Sequence, residues 1–131
     1  MAESQNFKEP LLLLNDCLVE YLIVGGYVVM RYSEPRFTKD LDVWVGASHD
    51  NSRRVFAALA RVGAPLRHDG VNEESFSVEQ TVYQIGVQPI RVDILTSISG
   101  CEFSDAWKRR VLGVMYGVPV NFIALADLIV N

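Results

Sequence analysis

Apolar and polar positions along this chain follow two periods, and the switches between them mark the predicted elements. Leu11, Leu14 and Leu18 recur at helical spacing, and Pro10, which has no amide to lose in a first turn, predicts a helix over residues 10–19. Residues 21–24 form a short apolar run of strand character that ends at Gly25-Gly26. Residues 27–32 read as a short helix closed near Ser33-Glu34-Pro35, and residues 41–45 as the next strand. Asp50 or Ser52 can cap a helix reaching about Val62, with Val55, Phe56 and Leu59 inward and Gly63 as the stop. Residues 63–72 are loop-like. Residues 75–80 and 81–87 alternate as strands do, Gln88-Pro89 breaks the pattern, and residues 90–95 resume it. Ser104 can cap a short helix through Arg110, residues 111–116 and 118–123 predict a hairpin around Gly117, and residues 124–131 look helical, with Leu125, Leu128 and Ile129 apolar.

Strands followed by helices, then a cluster of hairpins, predict an α/β or α+β fold with a mixed β-sheet flanked by helices. The chain has 131 residues and no linker, repeat or low-complexity tract, so one domain over residues 1–131 is expected. Half of the residues are hydrophobic and 21% are charged, a globular composition. The 16 acidic and 12 basic residues give a net charge of −4, which argues against a broad grip on a nucleic-acid backbone but leaves room for a local basic groove. Cys17 and Cys101 lie far apart and form no metal-ligand pair; free thiols in a reducing cytoplasm are expected. The polar start and the absence of an apolar run of ~20 residues predict a soluble, cytoplasmic protein without a membrane partner.

The chemistry concentrates around three aspartates. Side chains alternate along a strand with period two, so Asp40 and Asp42 share one face while Leu41, Val43 and Val45 take the other. Two carboxylates so placed repel each other unless a cation sits between them. Asp93, between apolar Val92 and Ile94, repeats that environment, and three carboxylates converge if its strand neighbours the first. Hard divalent cations such as Mg²⁺ take oxygen ligands, shared between one or two carboxylates and substrate phosphates. A single acidic residue at a strand end ordinarily faces water; the combination is what points to a metal site.

Gly25-Gly26 between a strand and a helix can be a simple tight turn, or can let a triphosphate approach the backbone near a helix start. Thr38 shares strand parity with Asp40, and Arg36 and Lys39 could meet phosphate charge or stay as solvated loop charges. Trp44 has the parity of the two aspartates and could flank a nucleobase, with core packing as the default. His49 is expected to face water, His68-Asp69 to lie in a mobile surface loop, and Trp107, Lys108, Arg109 and Arg110 to form an exposed basic helix end.

The glycine pair, the intervening helix and the stretch Arg36-Phe37-Thr38-Lys39-Asp40-Leu41-Asp42 resemble the nucleotidyltransferase superfamily with the polymerase-beta-like fold. That pattern places Gly-Gly about a dozen residues before Asp-hydrophobic-Asp, with a third acidic residue on a later strand. Gly25, Gly26, Asp40, Asp42 and Asp93 fill those places. Small prokaryotic members, including nucleotidyltransferases of abortive-infection and toxin–antitoxin systems, are the nearer likeness. Arg91-Val92-Asp93-Ile94-Leu95-Thr96 and the tail from Val118 to Ile129 are similar to that group as well.

The resemblance implies transfer of a nucleoside monophosphate from a nucleoside triphosphate, ATP among them, to a protein, RNA or small-molecule hydroxyl, with release of pyrophosphate. It assigns Asp40, Asp42 and Asp93 to catalysis and to Mg²⁺ or Mn²⁺, with Gly25 and Gly26 cradling the phosphates; Arg36, Thr38 and Lys39 complete the expected nucleotide-binding set. The alternative it carries is a toxin–antitoxin regulatory module that binds a partner and turns over little. Similar members continue the last helix into a lysine and a Gly-Arg-basic-Asp segment, whereas this pattern stops at Asn131, as in a truncated or short member. An uncovered apolar helix end there would favour a homodimer.

Overall fold

The structure, a computed structural model, describes residues 2–25, 40–86 and 91–130. The predicted helix over 27–32 and the break at Gln88-Pro89 lie outside these residues. In chain order the elements are α1 (Ala2–Asp16), β1 (Tyr21–Val24), β2 (Asp40–Val45), α2 (His49–Val62), a 3₁₀ turn (Ser75–Ser77), β3 (Val82–Ile85), β4 (Arg91–Leu95), α3 (Phe103–Lys108), β5 (Val111–Met115), β6 (Val118–Phe122) and α4 (Leu125–Val130). The strands form one sheet in the order β3-β4-β2-β1-β6-β5. The β1–β6 and β2–β4 pairs are parallel and the other three antiparallel, so the sheet is mixed and the fold α+β. Among the described residues no helix is long and apolar enough to cross a membrane.

Helix α1 begins upstream of its predicted start and carries Pro10 inside it. Proline there leaves the carbonyl four residues earlier without its helical partner, but Phe7, Leu11 and Leu14 are all buried and hold the segment against the core. Leu18 does not continue that face. It lies beyond the helix end at φ 60° and is 75% exposed. Residues 75–80 are not a strand: Ser75 Oγ accepts from Asn72 N–H at 2.9 Å, and Asn72 Oδ1 accepts from Glu74 N–H at 2.8 Å. Such local side-chain bonds offer the backbone a turn in place of a ladder. Helix α3 starts one residue before Ser104 and ends at Lys108, with Glu102 at its N-cap making no side-chain capping bond.

Helix α2 follows the predicted pattern closely. Its cap differs from the expected Asp50 or Ser52, which lie inside the helix: Ser48 accepts from Asn51 N–H, and Gly63 closes the helix as expected at φ 98°, a left-handed position that suits glycine. Val55, Ala58 and Leu59 face inward, with Phe56 half-buried against the core. Leu41, Val43 and Val45 of β2 join them in the core with Phe7, Leu11 and Leu14 of α1. In the hairpin, Tyr116 and Gly117 have φ of 52° and 78°. Two consecutive left-handed residues between the paired Met115 and Val118 match the twist of the strands.

Asn51 ties α2 to the far ends of β1 and β2. Its Oδ1 accepts from Glu20 N–H at 2.8 Å, and its Nδ2 donates to the carbonyls of Glu20 at 3.0 Å and Gly46 at 2.7 Å. Asn51→Ala would leave these buried backbone groups unpaired and is expected to cost about 3 kcal/mol in urea unfolding. A loss below about 1 kcal/mol would show that water replaces the amide there.

Candidate functional site

Parallel pairing of β2 with β4 sets the register that matters: Asp40 lies opposite Arg91, and Asp42 opposite Asp93. Paired residues in neighbouring strands present their side chains to the same face. Asp40, Asp42, Arg91 and Asp93 therefore share one side of the sheet, opposite Leu41, Val43 and Val45. Asp93 is largely buried, with its side chain 12% exposed, whereas Asp40 retains 44%.

The Arg91 guanidinium lies between two of the carboxylates. Its Nε donates to Asp93 Oδ1 at 3.1 Å, and its Nη2 donates to Asp40 Oδ2 at 3.3 Å and Asp93 Oδ2 at 3.5 Å. Burial pushes the Asp42 carboxyl above its ordinary range. The charges of Asp93 and Asp40 push it further, Arg91 offsets part of the shift, and a hydrogen bond with Asp93 adds to it.

Val24 pairs with Asp42, so the turn at Gly25 lies directly over that aspartate. Gly25 has φ 81°, and a Cβ built on it would collide with Asp42 Oδ2 and stand 3.2 Å from Cγ. The glycine is thus required twice, by its backbone conformation and by the carboxylate packed against it. Gly26, Arg36, Thr38 and Lys39, expected to bind nucleotide, lie outside the described residues.

Among the described residues no group of three or more His, Cys, Asp or Glu side chains is arranged to hold a metal ion as it stands. The donor set nevertheless suits the way Mg²⁺ is usually bound, through one or two carboxylates with the remaining ligands from water and substrate phosphates. The close Asp42–Asp93 pair supplies hard oxygen donors, and its like charges are the feature a cation would relieve.

Further along the same face, Trp44 is buried with its ring edge-on to Phe103, centroids 5.2 Å apart. The core role expected by default is the one it has. It borders a cleft of about 810 Å³ that Thr96, Cys101, Phe103, Arg109 and Asp127 also line. Arg109 is not simply part of an exposed basic helix end: its Nη2 donates to Asp127 Oδ1 at 2.8 Å and its Nε to Oδ2 at 3.0 Å, a forked pair that fixes α4 to the end of α3. Arg110 lies 3.9 Å over the Trp107 ring. Cys17 and Cys101 are free thiols, and burial pushes the Cys101 thiol up.

His49 is exposed and bonded to Glu74 at 2.6 Å. The loop at His68-Asp69 is tied to the sheet, because the Tyr83 hydroxyl donates to Asp69 Oδ2 at 2.7 Å. That bond is the main reason the Asp69 carboxyl sits below its ordinary range.

Arg91 is the one residue of the carboxylate cluster to which the sequence reading gave no role. The signal was present: Arg91 stands two positions before Asp93, on the same strand face.

A scan against models of known protein families and a search of curated proteins find no match for this chain.

Proposed function

We propose that this chain is a metal-dependent nucleotidyltransferase with the polymerase-beta-like arrangement of its sheet. It would move a nucleoside monophosphate from a nucleoside triphosphate to a hydroxyl of a protein, RNA or small molecule. The observation that carries this reading is the parallel register that sets Asp42 against Asp93, with Asp40 beside them and the Gly25 turn packed on Asp42.

In this reading the acceptor oxygen forms a bond to the α-phosphorus, the bond from that phosphorus to the bridging oxygen of the β-phosphate breaks, and pyrophosphate leaves. Asp40, Asp42 and Asp93 would hold Mg²⁺ or Mn²⁺, which supplies charge neutralisation and orientation at the phosphates. The protein's own contribution is positioning. Asp42 and Asp93 are fixed by adjacent strands, and the absent side chain of Gly25 leaves the Asp42 carboxylate its place. Gly26, Arg36, Thr38 and Lys39 are proposed to reach the triphosphate. A cytoplasmic setting suits a triphosphate donor and two free thiols.

Exposed apolar side chains favour a second reading, a toxin–antitoxin binding module or a homodimer. Leu112 is 72% and Val114 66% exposed on β5, and Leu125 is 41% exposed on α4. Thermal melting separates the two. A nucleotidyltransferase should melt higher with Mg²⁺ and a triphosphate together, by about 2.7 kcal/mol of added stability at a hundredfold excess over the dissociation constant. Labelled triphosphate should then pass label to an acceptor in cell lysate. A melting point indifferent to every triphosphate, with no label transferred, would leave the binding module as the better reading.

A further inference from the structure

The carboxylate face already contains one cation, and it belongs to the protein. Arg91 engages both oxygens of Asp93 and one of Asp40, while no described hydrogen bond joins it to Asp42. Three carboxylates against one guanidinium leave negative charge unmatched, and Asp42 lies directly opposite Asp93 in the strand register. Of the two acids that Arg91 pairs with, Asp93 is the more enclosed, and both of its oxygens are engaged.

We infer that Arg91 is a resident counter-ion that holds Asp93 and Asp40 until a divalent cation takes them, and that its guanidinium then turns to the phosphates of the bound triphosphate. The inference rests on the nucleotidyltransferase reading and adds a positioning residue to it. The chain of reasons is geometric. A carboxylate oxygen that accepts from a guanidinium at 3.1 Å has to exchange that partner to become a metal ligand. Binding of metal alone therefore meets the loss of a forked, charge-assisted pair. Arg91 sits on the same face and is 28% exposed at its side chain, so it remains at the site with a free planar fork. Planar forks match phosphate oxygens as well as carboxylate oxygens. Metal and triphosphate would then bind with positive coupling, because the second ligand recovers the ion pairing that the first one breaks.

The opposite expectation follows if Arg91 only stabilises the fold. Its removal would then weaken the metal site or leave it unchanged, because the strands that present the carboxylates would loosen. The sign of the change in metal affinity is what distinguishes the two.

The test is Mn²⁺ binding by the full chain, followed by the loss of the free-ion electron paramagnetic resonance signal, with and without a non-hydrolysable triphosphate. Arg91→Met is expected to bind Mn²⁺ about tenfold tighter than the wild type in the absence of nucleotide, on the scale of one lost charge-assisted bond. The further tightening produced by the triphosphate should shrink by a similar factor. Arg91→Lys, a point charge that cannot bridge both aspartates, is expected to fall between them and guards against an ill-folded Met variant, with circular dichroism reporting the fold. Folded variants that bind Mn²⁺ no tighter than the wild type would overturn the role of Arg91 and leave the metal site standing. Absence of Mn²⁺ binding in all three proteins would overturn the inference together with the metal-dependent reading beneath it.

Discussion

Asp42→Asn is expected to slow nucleotide transfer by about 10²–10³-fold or more while raising the temperature at which the metal-free protein melts. The two effects have one cause. Burial and the charges of Asp93 and Asp40 hold the Asp42 carboxyl above its unfolded value, so at neutral pH the folded state carries an ion it disfavours. The sign follows from linkage. Above the folded pKa the penalty is fully present; as pH falls through it, the native state takes up a proton that the unfolded chain does not bind, and stability is regained. Below the ordinary carboxyl value of 3.8 both states are protonated and no further gain accrues. Calorimetry without metal should therefore find the variant ahead of the wild type at pH 7 and the gap closing in acid. A neutral-pH melting point below that of the wild type would remove the claim that Asp42 is under like-charge strain. Unchanged transfer of labelled nucleotide would remove it from the chemistry.

Gly25→Ala carries the second large expectation. A left-handed backbone costs a residue with a side chain about 1–2 kcal/mol, and the new methyl must also displace the Asp42 carboxylate. Gly117→Ala is the matched control, because its φ of 78° is similar and nothing lies within 4 Å of its added Cβ. Both variants should melt lower than the wild type. Only Gly25→Ala should also lose its response to Mg²⁺ and triphosphate, by an order of magnitude or more in apparent affinity. If the two variants bind triphosphate equally well, the close packing of Gly25 on Asp42 has no part in binding.

The elements legible in the sequence were those whose signals are local. An apolar run marked β1, period two gave the shared face of Asp40 and Asp42, and Gly63 marked the end of α2, whereas its cap is Ser48 and neither Asp50 nor Ser52. Tyr116-Gly117 is a two-residue hairpin turn that its flanking alternation marks. The failures came where two local signals compete. Pro10 reads as a helix start because its missing amide is harmless there, yet buried Phe7 extends the helix past it. Ser75 and Asn72 outbid the alternating pattern around them.

Sheet order lay beyond any local signal. Nothing in residues 40–45 or 90–95 states that these segments lie side by side, because that pairing depends on the packing of the whole sheet. The contact of Arg91 with Asp40 was hidden for the same reason, although its spacing from Asp93 was legible. Basic partners were sought in the loop before Asp40, at Arg36 and Lys39, whereas the partner that the structure supplies comes from the strand bearing Asp93.

That origin bears on how the sheet comes together. Assembly has to bring β4 from far along the chain to lie beside a strand that already carries two acids, with one more acid of its own. Because Arg91 and Asp93 travel on the same strand, the incoming edge brings a positive charge with the negative one, and Arg91 offsets part of the repulsion that Asp93 adds at Asp42. The strand thus delivers the third carboxylate with its own chaperoning charge, and a chain can close this part of its sheet in water containing no divalent ion at all.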